Sequence, residues 1–262
     1  MPRPKHEIEI RHCASLAEYE ECVRIEHFTW GEEIAVPSAI FVVAHHTGGQ
    51  VLAAFEAASD GERMVGFTLA LAGIRAGKSF LHSHMTAVLP EFRDRGVGRR
   101  LKLFQRQDAL QCGIDVIEWT FDPLEFKNAH FNFARLGAVA RWYIPDCYGV
   151  TASPLHAGLP TDRLVAEWRL DSERVKSILA DDPMPLKSPA ARIGLPANLF
   201  EIRATDRAAA ARIQAEVREQ FQKWFAEGYV ATGIETRGGM TEYILEPAGA
   251  IAGLCPPEIT EG

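Results

Sequence analysis

The segment from Val88 to Leu101, VLPEFRDRGVGRRL, holds the residue types best suited to binding an anion. Gly96 and Gly98 lie where an extended run that ends at Pro90 leads into a predicted helix over 97–112, and glycine lets the backbone approach a ligand closely. The first N–H groups of a helix have no acceptor within it and carry partial positive charge. Residues 91–106 contain six basic and two acidic side chains, a net charge of about +4. This pattern predicts a phosphate-binding loop.

Two other phosphate motifs fit the sequence poorly. A dinucleotide fingerprint needs a third glycine, but the third residue after Gly98 is Leu101. The stretch from Gly73 to Ser79 resembles a Walker A loop, yet three residues separate Gly73 from Gly77 where that motif has four. It also precedes an extended run instead of a helix. We therefore expect a turn between two strands there.

The loop must be positioned by strands and helices that alternate over the first 150 residues. HEIEIRH has the two-residue alternation of a strand, and Ser15 with Glu18 forms a capping box that predicts the start of a helix. Polar and glycine residues around Asp60 predict a hairpin turn. Strands are expected at 6–12, 51–57, 64–72, 79–89, 114–121 and 138–144, and helices from 16, at 97–112 and at 128–136.

Together, Arg93-x-x-Gly96-x-Gly98 and the preceding Val88-x-Pro90 resemble the coenzyme A pyrophosphate loop of the GNAT-type N-acyltransferase superfamily. The resemblance extends to the element order over residues 6–150. It implies an α/β fold with a mixed, strongly twisted, mostly antiparallel sheet flanked by helices, in which the fourth and fifth strands are parallel and splayed. It also implies acetyl-CoA or succinyl-CoA as acyl donor, and no metal. The residues it assigns to the cofactor are Ala87, Val88, Arg93, Asp94, Arg95, Gly96, Val97, Gly98, Arg99, Arg100, Asn128 and Asn132.

Acyl transfer to an amine needs a base for the amine proton and can use an acid for the leaving thiolate. Alternation predicts that His82, His84, Thr86 and Val88 share one face of the long strand. The two histidines resemble the paired strand histidines of serotonin N-acetyltransferase, a GNAT member, which remove the proton there. Glu118, mid-strand among apolar residues, is a second candidate base, since a buried carboxylate often has a raised pKa.

The expected acid is missing. Family members often carry a tyrosine four residues before the glycine of the helix-ending Leu-Gly, here Leu136-Gly137, and this chain has Phe133 at that position. Solvent could protonate the thiolate instead. Tyr143 and Tyr148 are the alternative donors, and Tyr148 is included among the candidate catalytic residues.

The overall pattern resembles a bacterial branch of the superfamily that includes amino acid N-succinyltransferases, which implies a small amine or amino acid as acceptor. Arg135 and Arg141 could pair with a substrate carboxylate, although surface salt bridges would explain them equally well. A different class of function remains open, namely a non-catalytic acyl-CoA sensor or interaction module that has kept the phosphate loop. Phe133 favours that alternative.

The C-terminal portion is longer than the family fold needs, because about 150 residues suffice for an acyltransferase core. We expect a core at 1–150, its final strand and helix at 151–180, a Pro-rich linker at 181–198, and a strand-helix-hairpin extension at 199–262. FEIRA near its start weakly echoes EIEIR near the N-terminus. The extension could add strands, cover the acceptor site or mediate homodimer formation.

Composition sets the broad class. The 262 residues are 47% hydrophobic, enough for a full core, so bulk disorder is excluded. Acidic residues outnumber basic ones by 35 to 28, which argues against nucleic acid as a partner. The five cysteines contain no CxxC, so a disulfide framework or structural zinc site is not expected. Without a 20-residue apolar run or a signal-peptide pattern, we expect a cytoplasmic protein with no membrane partner.

Overall fold

The computed structural model describes residues 8–31, 35–58, 61–149, 158–182 and 191–251. They form two compact units that divide between Glu118 and Trp119, inside a single strand. Within the described residues, no helix combines the length and the apolar character that crossing a membrane requires.

The first unit is a sheet with helices on both faces. Its strand order is β1-β2-β3-β4-β5, antiparallel except for β4 with β5, which pair in parallel at Leu81 with Ile117 and at His82 with Glu118. This confirms the expected mixed, mostly antiparallel sheet. The elements are β1 (Ile8–His12), α1 (Leu16–Trp30), α2 (Ser38–His46), β2 (Gln50–Ala58), β3 (Gly61–Arg75), β4 (Lys78–Val88), α3 (Val97–Gln111) and the first half of β5 (Val116–Phe121).

Two apolar clusters hold the helices to the sheet. On one face, Phe41 of α2 packs with Phe67 of β3, in the same cluster as Ile25 of α1. On the other face, Leu101 of α3 packs with Leu52 of β2. Burying side chains of this size stabilises the fold by roughly 1.5–3 kcal/mol each relative to exposure.

The predicted cap of α1 and the turn predicted in the Walker-like stretch are present, whereas the turn predicted around Asp60 lies outside the described residues. Ser15 Oγ accepts the Glu18 N–H at 3.3 Å, as the capping box predicts. In return, the Glu18 carboxylate accepts the N–H of Ala14, one residue before the Ser15 N–H that a standard capping box uses. Ala76 and Gly77 form the turn between β3 and β4, both with positive φ. The predicted turn in the Walker-like stretch is therefore confirmed.

A β-bulge in β4 corrects the predicted face of that strand. Leu69 pairs with Met85 and Ala70 with Ser83, so His84 is an extra residue in the ladder. Ser83, before the bulge, faces α3 and bonds to Lys102. Val88, after the bulge, also faces α3 and packs against the apolar cluster of Leu101 and Leu52, called the α3 cluster below. His82, which alternates with Ser83, therefore faces away from Val88. The prediction that His82, His84, Thr86 and Val88 share one face was wrong because the bulge interrupts the alternation.

The second unit has its own strand order, β7-β6-β9-β10-β8. The pairings of β6 with β7, β6 with β9, β9 with β10 and β10 with β8 are antiparallel. The elements after β5 are α4 (Phe126–His130), a π-helical turn (Phe131–Arg135), β6 (Val139–Ile144), β7 (Arg163–Arg169), α5 (Glu173–Leu179), β8 (Ala191–Pro196), α6 (Leu199–Thr205), α7 (Arg207–Ala226), β9 (Tyr229–Arg237) and β10 (Met240–Pro247).

Two predictions about residues 181–203 were wrong. Ala191–Pro196 is a strand, although the Pro-rich linker was expected to reach residue 198. Proline is tolerated in β8 because Pro196 ends an edge strand. Leu199–Thr205 is a helix instead of the expected strand, so the extension continues as helix, helix and hairpin. The other three prolines of the stretch, at 183, 185 and 189, lie outside the described residues.

The helix expected in the C-terminal extension is α7, and it buries an apolar stripe. Ala210, Val217 and Phe221 are buried. The Phe221 ring stacks on Tyr143 of β6 at 5.7 Å and meets Tyr243 of β10 edge-on at 5.0 Å between centroids. The helix is capped by Asp206, whose Oδ1 accepts the Ala209 N–H at 2.9 Å.

The weak repeat does not correspond to a repeated topology. Both ends of the chain run strand, two helices and a hairpin, but β1 pairs with the first hairpin strand, β2, whereas β8 pairs with the second, β10. The two ends of the chain therefore pair their strands in different orders.

Candidate functional site

The predicted phosphate loop leads from β4 into the uncapped end of α3. After Val88, a short 3-10 turn (Pro90–Phe92) is followed by two residues in the left-handed region, Asp94 with φ 57° and Gly96 with φ 79°. No side chain of the described residues caps α3, and its first turn contains no acidic residue. The first amides of α3 therefore have no acceptor in the helix and stay available to an anion.

The space in front of these amides is open. A Cβ added to Gly96 would meet no atom within 4 Å, and one added to Gly98 would meet only Val88 Cγ2, at 3.9 Å. The side chains of Phe92 and Val97 are buried in the α3 cluster and fix the loop to the sheet. The loop is thus fixed by its apolar side chains while its glycines face open space.

Of the four arginines in the loop, three contact the protein and the fourth has a side-chain nitrogen without a hydrogen-bond partner. Arg93 Nε donates to the Val88 carbonyl at 2.9 Å, and Arg100 donates to the Ile8 carbonyl, so both side chains support the fold. Arg95 lies over the Phe92 ring. The Nε of Arg99 is buried and has no hydrogen-bond partner, an arrangement that an anionic ligand would relieve.

The two histidines of β4 lie close together, with ring centroids 6.2 Å apart. Burial lowers the pKa of both, and the charges of His84, Lys102 and Arg75 further lower that of His82. A lowered pKa keeps an imidazole neutral at pH 7, the form that can accept a proton.

Glu118 is buried in an ion pair with Arg75. Arg75 Nη1 donates to both of its carboxylate oxygens, at 2.7 and 2.9 Å. Glu118 pairs with His82 across the parallel ladder, so the candidate bases of β4 and β5 lie on adjacent strands. The Arg75 guanidinium therefore occupies both carboxylate oxygens of Glu118.

Lys102 is a buried residue that the sequence did not predict in the site, and it lies on the face of β4 opposite His82. Its Nζ donates to Ser83 Oγ at 2.8 Å and to Gln105 Oε1 at 2.9 Å. Burial lowers the pKa of Lys102 to about 7. The signal was available, because Lys102, Gln105 and Ala109 follow the helical spacing of the buried stripe of α3.

In the second unit the two predicted cofactor amides differ. Asn128 is exposed on α4. Asn132 is buried in the π-helical turn, where Oδ1 accepts the Trp119 indole N–H at 3.2 Å and Nδ2 has no hydrogen-bond partner. The unpartnered donor leaves Asn132 able to bind a ligand acceptor.

The aromatic candidates of this unit are mostly structural. Phe133 is buried, edge-on to Phe121 and Tyr243. Tyr143 donates to buried Asp162 at 2.6 Å, and burial together with this carboxylate raises the pKa of Tyr143. Tyr148 is half exposed, and its hydroxyl lies 2.8 Å from Thr120 Oγ1. Of the two tyrosines, Tyr148 is the accessible one.

The arginines considered for a substrate carboxylate also differ. Arg141 makes a buried ion pair with Glu167 at 2.6 Å, which explains it without a ligand, whereas Arg135 is exposed. Over the residues that the structure describes, no three His, Cys, Asp or Glu side chains converge as a metal ion would require.

No family model and no curated protein matches the sequence. Solved structures do match. A candidate acetyltransferase from Acinetobacter baylyi ADP1 aligns with a TM-score of 0.54 and 14% identity, covering 65% of this chain and 96% of that one. Candidate acetyltransferase yncA from Salmonella typhimurium, solved with acetyl-CoA, aligns with a TM-score of 0.50 and 18% identity. The alignment covers 63% of this chain and 94% of that one. Arabidopsis thaliana NAA60, solved with a bisubstrate analogue, aligns with a TM-score of 0.50 and 15% identity. The alignment covers 62% of this chain and 98% of that one. The chain has the GNAT fold.

The GNAT fold accounts for only part of this chain. Each of these structures is covered almost completely, while more than a third of the present chain lies outside each alignment. The fold expected from the phosphate loop and element order is confirmed. The extra length belongs to this chain and is absent from those structures.

Proposed function

We propose that the protein is an acyltransferase that moves an acyl group from coenzyme A to a primary amine. The observation that carries the proposal is the loop between β4 and α3, where uncapped helix amides, two glycines over open space and the unpartnered Arg99 Nε would receive a pyrophosphate. Support also comes from the GNAT fold, since the similar Salmonella protein was solved with acetyl-CoA.

The chemistry is a direct attack. The amine nitrogen forms a bond to the thioester carbonyl carbon, the carbon–sulfur bond breaks, and the thiolate of coenzyme A leaves. His82 or His84 accepts the amine proton, a role that their lowered pKa values support. Phe133 cannot donate a proton, so solvent protonates the thiolate, with Tyr148 as the protein donor to test.

The finer assignment concerns both substrates. We propose an amino acid as acceptor and acetyl or succinyl as the transferred group, on the resemblance to the bacterial N-succinyltransferase branch. Exposed Arg135 is the candidate partner for an acceptor carboxylate. We also propose that residues 1–150 form the acyltransferase core and that the remainder adapts it to its acceptor or to a homodimer.

A non-catalytic acyl-CoA sensor is the second candidate. Two observations favour it: Phe133 replaces the usual proton donor within a buried aromatic cluster, and the carboxylate of Glu118 is held by Arg75. A sensor would bind acyl-CoA through the same loop without needing either group.

Calorimetric titration with acetyl-CoA and succinyl-CoA, together with a thiol-release assay over a panel of amino acids, tests the proposal. We expect binding and turnover. Gly98→Val should weaken binding by at least about tenfold, or about 1.4 kcal/mol, because the new side chain occupies the open space. Gly249→Val is the matched control outside the loop, since a Cβ there meets nothing within 4 Å and one at Gly98 meets only Val88 Cγ2, at 3.9 Å.

The outcomes separate the candidates. Binding without turnover on any amine would leave the sensor and contradict the enzyme. Absence of binding by the wild-type chain would contradict both. Equal loss of affinity in Gly98→Val and Gly249→Val would show that the loop is not the binding site.

A further inference from the structure

The loop that joins β5 to α4, residues 122–125, decides where α4 begins. Asp122 Oδ1 accepts the Leu124 N–H at 2.8 Å, and the Glu125 N–H donates to the Asp122 carbonyl at 3.1 Å. These bonds close a compact turn. Phe126, the first residue of α4, follows directly. Any shift of this turn would therefore move Asn128.

An arginine from the C-terminal part of the chain holds both acidic residues of this turn. Arg203 of α6 donates from Nη1 to Glu125 Oε1 at 2.7 Å and from Nη2 to Asp122 Oδ2 at 3.4 Å. Its side chain is only 8% exposed. A guanidinium fixes two carboxylates in a planar geometry that lysine cannot reproduce.

A tyrosine from a different C-terminal element holds the same turn. Tyr243 of β10 is fully buried and donates its hydroxyl to the Pro123 carbonyl at 2.6 Å. Its ring is edge-on to Phe133 at 6.1 Å between centroids. Phe133 follows Asn132 in the π-helical turn. Tyr243 thus contacts both ends of the segment that carries the two asparagines.

The charges around the turn make its geometry sensitive to Arg203. Burial and neighbouring Asp122 raise the pKa of Glu125, and Arg203 opposes this. Without the guanidinium, the mostly buried carboxylate of Asp122 and the half-exposed carboxylate of Glu125 would repel each other with no shared cation between them. We therefore expect the turn to open when Arg203 is removed.

We propose that Arg203 and Tyr243 are positioning residues through which the C-terminal extension sets the affinity of the protein for acyl-CoA. They fix the turn at residues 122–125 and thereby the amides of Asn128 and Asn132. The inference rests on the proposed function, because acyl-CoA is the expected partner of these amides. It gives the extension a role beyond adding strands to the sheet.

The experiment compares Arg203→Met, Arg203→Lys and Tyr243→Phe with the control Arg192→Met. Arg192 lies on β8 and pairs with Glu242 at 3.1 Å and Glu235 at 3.6 Å, away from the turn. Hydrogen exchange by mass spectrometry reports the protection of residues 122–132. Calorimetry measures the Kd for coenzyme A, and thermal unfolding measures the Tm. Tyr243→Phe removes only one hydroxyl, so it provides a folded variant if Arg203→Met unfolds.

We expect Arg203→Met and Tyr243→Phe to speed exchange over 122–132 and to raise the Kd for coenzyme A by about tenfold, or about 1.4 kcal/mol. The KM for acyl-CoA should rise by a similar factor while kcat changes by less than about twofold. Arg203→Lys should restore part of the loss, and Arg192→Met should change neither readout. Faster exchange with an unchanged Kd would overturn this inference and leave the proposed function intact. A wild-type chain that binds no coenzyme A would overturn both.

Discussion

At the scale of single residues, two neighbours in β4 face opposite sides of the sheet. Ser83 meets the buried ammonium of Lys102 on α3, and His82 faces the other way. The positive charge of Lys102 still reaches His82 and contributes to its lowered pKa, after burial and His84. Alternation of side chains along a strand thus separates a proton acceptor from a cation that helps to keep it neutral.

The lowered pKa of His82 has a kinetic consequence. If neutral His82 is the base, kcat at saturating acceptor should hold down to a pH below 6.5, the usual value for histidine, and fall only when the imidazole is protonated. His82→Gln should lower kcat by about 10²–10⁴-fold and abolish this acidic limb. A pH–rate profile of both His→Gln variants provides the measurement. If His84→Gln alone removes the limb, His84 is the base instead.

Lys102 makes stability depend on pH. Its pKa is about 7 when folded and near 10.5 when exposed, so between these values the unfolded chain binds more protons. The free energy of unfolding should therefore rise with pH from 7 to 10, by at most about 1.4 kcal/mol per pH unit. Urea unfolding across this range measures it. Lys102→Met should lose this contribution, and a parallel slope in that variant would show that other groups cause it.

At the scale of elements, helices with strong end signals could be predicted and the others could not. Helix α3 ends where Gly113 adopts a positive φ, and the sequence places both its ends within one residue. The sequence predicts a strand where helix α6 lies because FEIR, residues 200–203, alternates apolar and polar residues over four positions, a length at which the two periods are hard to separate. Phe200, apolar yet 80% exposed, strengthened that false pattern.

The candidate site shows the same division. Glycines and arginines of the loop are visible in the sequence because the loop is local, with all its chemistry in about ten residues. The bulge at His84, the ion pair of Glu118 with Arg75 and the contacts of Arg203 depend on pairing between distant segments. No local pattern encodes a register shift, so the facing of His82 relative to Val88 could not be predicted.

At the scale of the whole molecule, the C-terminal extension is continuous with the second unit. Ala140 of β6 pairs with Ala231 of β9, and Arg174 of α5 donates to the Thr232 carbonyl. Asp162, fully buried before β7, accepts from Arg218 of α7 at 2.8 and 2.9 Å as well as from Tyr143. These contacts join residues before 180 to residues after 205, so the extension and the end of the core share one interior.

Because the extension and the preceding strands share one interior, a core substitution in either part should destabilise the whole second unit. Phe221→Ala should lower the free energy of unfolding by about 3–5 kcal/mol, because the ring fills the space between Tyr143 and Tyr243. Phe200→Ala, at an exposed ring, should change it by less than about 0.5 kcal/mol. Urea unfolding with hydrogen exchange measures both. We expect Phe221→Ala to reduce protection in β6 and β7 as well as in α7 and β9, since cooperative units open together. Loss confined to residues after 191 would instead make the extension a separate domain.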